Sequence, residues 1–181
     1  MASRTRPTAP GHERRGPTVP AAARAANLPI FYCTQETRPN NRPAGATSTK
    51  RRGRAPDPDG YTIYHEFTPQ ASDIVIWKQR ASAFQGTPLF SHLSLLGVQS
   101  LIVCGESTSG CVRAATVDGC TRRYRMMVVE ECVFDRHQAT HALNLFDINQ
   151  KYGDVIPLGD ALAYLAGRQS PQATERELAL A

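Results

Sequence analysis

The chain has 181 residues and a mass of 19.8 kDa, with 41% hydrophobic and 20% charged residues, enough for one domain with a core of its own. No apolar run approaches the ~20 residues of a membrane span. Five cysteines at low density argue against a secreted disulfide scaffold, so a reducing, cytoplasmic setting is expected.

The net charge of +5 is unevenly spread: residues 1–60 hold eleven Lys/Arg against four Asp/Glu, and residues 61–181 hold ten against twelve. A basic front therefore precedes a mildly acidic globular body. Residues 1–20 carry Pro7, Pro10, Pro17 and Pro20 with Arg4, Arg6, Arg14 and Arg15. They lack the apolar core of a secretory signal and read as a disordered leader. A short helix is expected over 21–27, and the β-branched and aromatic stretch 28–34 reads as a strand. Residues 38–60, rich in Arg, Pro, Gly, Asn and Thr, read as a basic loop. The run from Lys50 to Arg54 has no interleaved aromatic residues, so a solvated loop is favoured over a nucleic-acid contact.

From residue 74 the pattern becomes regular. The apolar run 74–77 predicts a strand covered on both faces. Leu89, Phe90, Leu93 and Leu96 recur at helical spacing within 87–96, and Gly97 closes that helix. Strands follow at 100–104, 125–129 and 154–156, with helices at 110–122, 137–152 and 158–166. The last residues, 168–181, form a tail. This alternation predicts an α/β doubly wound fold, a mostly parallel sheet with helices on both faces, over 21–167. No internal repeat is visible.

In such sheets, sites lie beyond the carboxyl ends of the strands. That rule selects Lys78, the turn 105–111, and Asp135 with Arg136. Cys111 follows a turn of small residues that opens a helix, where the helix dipole and unpaired backbone amides stabilise a sulfur anion or an oxyanion. It is a candidate nucleophile, against the alternative of a small packed residue, which is the reading for Cys33, Cys104, Cys120 and Cys132. Lys78 is a strand-end cation or simply a surface lysine. Arg136 has the planar fork that grips carboxylates. His137 and His141 stand four residues apart on one helix, and no metal site is expected there.

Taken together, these residues resemble the isochorismatase-like cysteine hydrolases. The stretch 75–87 (VIWKQRASAFQGT) is similar to their lysine segment, and 103–115 (VCGESTSGCVRAA) to their nucleophile segment. The stretch 141–155 (HALNLFDINQKYGDV) is closest to the subgroup of N-carbamoylsarcosine amidase and maleamate amidohydrolase. The likeness covers roughly residues 21–166. It implies that Cys111 is the nucleophile, that Lys78 stabilises charge at the reacting centre, and that the Glu106–Ser107 bond is a non-proline cis peptide. It further implies that the amides of Ser107 and Cys111 form an oxyanion hole, and that Arg136 and Phe84 bind substrate. The implied reaction is thiolate attack on an amide or carbamoyl carbon of a small carboxylate-bearing compound, loss of ammonia, and hydrolysis of the thioester. The resemblance also implies homo-oligomers and no cofactor.

The family carries its general base, an aspartate, at the end of its first strand, in a segment like apolar-apolar-Asp-x-Gln-Asn. No such segment occurs here. Asp73 stands at the wrong end of its strand, Asp118 is two helical turns beyond Cys111, and Asp135 and Glu106 are on the correct edge. Two explanations stand: an incomplete version of an active enzyme, or a non-catalytic paralogue that binds ligands or assembles oligomers. The proline–arginine leader favours the first. In either case a vacant strand position is expected in the sheet, exposing backbone ladder groups.

Overall fold

The computed structural model of the protein describes residues 18–35 and 62–168. The expectations for the leader 1–17, the basic loop 38–60 and the tail 169–181 lie outside the described residues. The elements run α1 (Thr18–Ala25), β1 (Phe31–Gln35), β2 (Ile74–Lys78), α2 (Leu89–Leu95), β3 (Ser100–Glu106), α3 (Arg113–Thr121), β4 (Arg125–Phe134), α4 (Gln138–Lys151), β5 (Asp154–Ile156) and α5 (Leu158–Gly167). The first helix takes in Thr18 to Pro20, so the leader ends earlier than its prolines suggest. Pro20 falls in the first turn, where a backbone N–H has no helical partner and its loss costs nothing.

All strand pairs are parallel, but the described strands form two sheets, β1–β2 and β3–β4–β5. Among the described residues, no strand joins β1 to β3. The consequence shows in burial. None of the seven residues of β3 is fully buried, and Cys104 is exposed, whereas Met126, Val128, Val129, Cys132 and Val133 of β4 are all buried. The β3–β4 pairing shifts register between Val103 and Gly105, whose partners are Val128 and Val133.

Strand alternation sends side chains to two covered faces. On one face Leu101 and Val103 of β3, Met126 of β4 and Phe31 of β1 pack with Leu89 and Leu93 of α2, while Val128 and Val155 meet Leu145 and Ile148 of α4. On the other face Ile102, Val129 and Ile156 meet Val19 and Ala22 of α1 and Ala161 and Leu165 of α5. This is the doubly wound arrangement.

Two sequence expectations need correction. The strand at 74–77 is not covered on both faces: Ile76 is buried, but Trp77 is 59% exposed. Trp77 points to the face opposite Ile76, and that face is open there; β2 also has a strand partner only in β1 among the described strands. In α2, only Leu89 and Leu93 of the four periodic residues enter the core; Phe90 and Leu96 are exposed. The helix spans only seven residues, too short for a wide buried stripe.

Candidate active site

β2 ends on Lys78, opposite Gln35 at the end of β1. Because Ile76 points inward, so does Lys78 two residues on, and the lysine is only 6% exposed. A buried cation is costly unless its donors are satisfied. Here Nζ donates to the carbonyl oxygens of Arg80 at 3.1 Å and Ala81 at 3.0 Å. It lies 3.1 Å from the Cys111 sulfur. An ammonium has three N–H groups, and these three acceptors use them all. Cys111 has no other polar partner among the described residues.

Cys111 reaches this position through the turn that follows β3. The Glu106–Ser107 peptide bond is cis, and Gly105 has φ +122°. Thr108–Val112 then form a wide helical turn in which the Val112 amide bonds the Ser107 carbonyl at 3.2 Å, and α3 continues from it. The nucleophile candidate therefore sits inside a π-type turn rather than at the first residue of a regular helix. The Gly110 amide also bonds Ser107 O, and the Ser109 amide is taken by Asp135. The amides of Ser107 and Cys111 are not among those spent in this way.

Asp135 stands just past β4. Its carboxylate accepts the amides of Ser109 at 2.7 Å and Arg136 at 2.8 Å. Burial pushes its carboxyl up, but the bonds from the Ser109 side chain and these two amides, with the nearby His141, hold it below the ordinary carboxylate range. A carboxylate so occupied is a poor proton acceptor, which removes Asp135 as a stand-in base. Asp73 pairs with Arg24 at 2.5 Å, and Asp118 bonds Gln85 at 2.9 Å. Neither is bonded to Cys111.

Arg136 is exposed, and its amide goes to Asp135. It lies at the end of β4, the same sheet edge as the Cys111 turn. Phe84 is placed otherwise than expected: it is 6% exposed, packs with Ile76, Leu93 and Met126, stacks on Tyr124 at 5.9 Å and carries Arg122 over its ring. Its ring belongs to the core, because a phenyl group gains more from that enclosure than from a wet cleft. His141, paired with His137 by spacing alone in the sequence, instead has Nδ1 2.8 Å from the hydroxyl of the fully buried Thr108. The supporting roles of Thr108, Ser109 and His141 left no motif. The one available signal was a polar residue early in α4, the helix that packs on the Cys111 turn.

The sequence profile of the Isochorismatase domain matches residues 17–160. The chain belongs to the isochorismatase family. It is 50% identical over 102 residues to maleamate amidohydrolase of Pseudomonas putida, covering 55% of this chain and 48% of that protein. It is 33% identical over 166 residues to N-carbamoylsarcosine amidase of an Arthrobacter species, covering 86% and 63%. The chain thus spans about half to just under two thirds of these two relatives. Among solved structures it resembles N-carbamoylsarcosine amidase from Thermoplasma acidophilum, with a TM-score of 0.69 and 26% identity over 81% of this chain and 82% of that one. The isochorismatase-like hydrolase from Alkaliphilus metalliredigens superposes with a TM-score of 0.74 at 17% identity, over 91% of each chain, and shares the fold.

Proposed function

We propose that the chain carries the nucleophile half of a cysteine amidohydrolase acting on a linear amide or carbamoyl group of a small carboxylate-bearing substrate. The observation that supports this reading is the 3.1 Å contact between the Lys78 ammonium and the Cys111 sulfur at the carboxyl edge of the strands. A cation in that position offsets negative charge that develops at the reacting centre. The thiol gives its proton to water, and the sulfur attacks the carbonyl carbon, forming an S–C bond as the carbonyl π pair moves onto oxygen. The amides of Ser107 and Cys111 hold the oxyanion. The tetrahedral species collapses with cleavage of the C–N bond, and the nitrogen leaves as ammonia with a proton from water. Water then cleaves the thioester and restores the thiol. Arg136 grips the substrate carboxylate with its planar fork. The names of the relatives, which are amidohydrolases and an amidase, support the reaction class.

Ammonia release from N-carbamoylsarcosine and maleamate, measured against Cys111→Ala, tests this reading. Release abolished in the variant is the expected outcome. One observation favours a second reading, a non-catalytic binding paralogue: among the described residues no carboxylate is bonded to the Cys111 sulfur. Turnover without general-base help falls by about 10²–10⁴. Labelling of Cys111 by iodoacetamide no faster than that of Cys33 and Cys104, with the buried Cys132 unlabelled and no ammonia release above the Cys111→Ala control, would decide for the paralogue. Cys33 and Cys104 are the comparison thiols. Both residues are exposed as wholes. Desolvation of its sulfur pushes the Cys33 thiol up to about 11, and a bond to Cys132 with desolvation raises that of Cys104. Access alone therefore does not make them fast.

A further inference from the structure

The turn that carries Cys111 is not held by its own caps. Ser107 precedes the turn without a side-chain cap bond, and Val112 supplies none to α3. Yet the first amides of a helical segment need acceptors. The acceptor comes from another strand. Asp135 takes the Ser109 amide with Oδ2 and, with Oδ1, the amide of Arg136 in its own chain segment. Next to it, the buried Thr108 hydroxyl meets His141 of α4. Two consecutive residues of the turn are thus fixed to the corner where β4 passes into α4, and Cys111 follows two residues later. On its other side stands Lys78.

We propose that Asp135 is a positioning residue: by capping the Ser109 amide from outside the helix, it holds the Cys111 sulfur at Lys78. This rests on the reading of Cys111 as the reactive thiol. The role needs an acceptor oxygen at a fixed place and needs no proton transfer. An asparagine side chain keeps one such oxygen, which serves the Ser109 amide while the exposed Arg136 amide turns to water, and an alanine keeps none.

The test is the rate of Cys111 alkylation by iodoacetamide at neutral pH, resolved by peptide mass mapping, in the full chain and in Asp135→Asn and Asp135→Ala. Asparagine should keep the rate within about threefold, and alanine should slow it by about tenfold or more, the worth of a lost bond to a charged acceptor. An alanine variant that labels Cys111 as fast as the parent overturns the proposal. So does an asparagine variant as slow as alanine, because loss of charge and not of position would then explain both. The buried Cys132 monitors the fold in the same sample. If the alanine variant opens and Cys132 is labelled, amide hydrogen exchange of the parent decides: a Ser109 amide protected well above an unstructured peptide supports the cap, and free exchange overturns it. A parent chain whose Cys111 reacts no faster than Cys104 overturns the nucleophile reading itself, an outcome distinct from the variant comparison.

Discussion

Arg24 and Asp73 tie the end of α1 to the start of β2. The guanidinium also reaches the Tyr32 hydroxyl at 3.1 Å, while its Nε is buried with no partner among the described residues. Burial pushes the Asp73 carboxyl up, yet the Arg24 bond and the Gln70 amide leave it below the ordinary carboxylate range. Asp135 is lowered in the same sense by its own amide bonds. A depressed folded pKa adds stability that is complete above the unfolded value, ~3.9. That stability is lost as pH falls through the folded value. The thermal midpoint should therefore hold down to about pH 4 and drop below it. Asp73→Asn should lower the midpoint at pH 7 and flatten the acid limb, with a cost of about 1–3 kcal/mol. A melting series from pH 7 to pH 2 on both chains checks this, and parallel acid limbs would refute it.

The Cys111 turn and α3 are held against α4 by more than apolar packing. Arg113, two residues past Cys111, donates to Asp147 from Nε at 3.2 Å and Nη2 at 2.7 Å and lies 5.5 Å over the Tyr152 ring. Lys151 joins the same carboxylate at 2.7 Å. These groups are partly exposed, so the bridge fixes direction more than it adds stability. The apolar part of that contact is Val112 against Leu145 and Ile148, while β2 rests on α2. Leu93 is fully buried beneath Ile76, Phe84 and Met126, under the strand that ends on Lys78. Leu93→Ala should cost about 2–5 kcal/mol, read as a shift in urea midpoint. Leu95→Ala, at 86% exposed, should shift it by less than about 0.5 kcal/mol. Equal shifts would mean that the helix faces the other way. Spacing alone could not rank these leucines, because a seven-residue helix leaves several rotations equally periodic.

At the scale of the molecule, the described strands leave β1 and β3 each with one unpaired edge. β4 is bonded on both sides, to β3 and to β5. Amides of β3 should therefore exchange with deuterated solvent faster than those of β4 at the level of Val128 and Val129, since local opening needs fewer bonds broken. Comparable protection would show that the β3 edge is covered in solution. On α4, Leu143 is 67% and Phe146 64% exposed.

Much of this was legible in the residues themselves. The alternation of apolar runs and helical spacings declared parallel strands and covering helices, because each period follows from local backbone geometry. Cys111 and Lys78 were marked by their places at strand ends. What the sequence could not determine was set by distant contacts. Phe84 went to the core although it neighbours the lysine segment, and Trp77 stayed exposed although it closes an apolar run, because burial depends on which neighbours arrive from elsewhere in the chain. Asp135, a candidate base by position, became a cap because the Ser109 amide met it across 26 residues. The sequence alone specified which chemical groups were present and on which edge; only the tertiary structure decided which of them touch, since hydrogen bonds and desolvation act over a few ångströms that no spacing along the chain records.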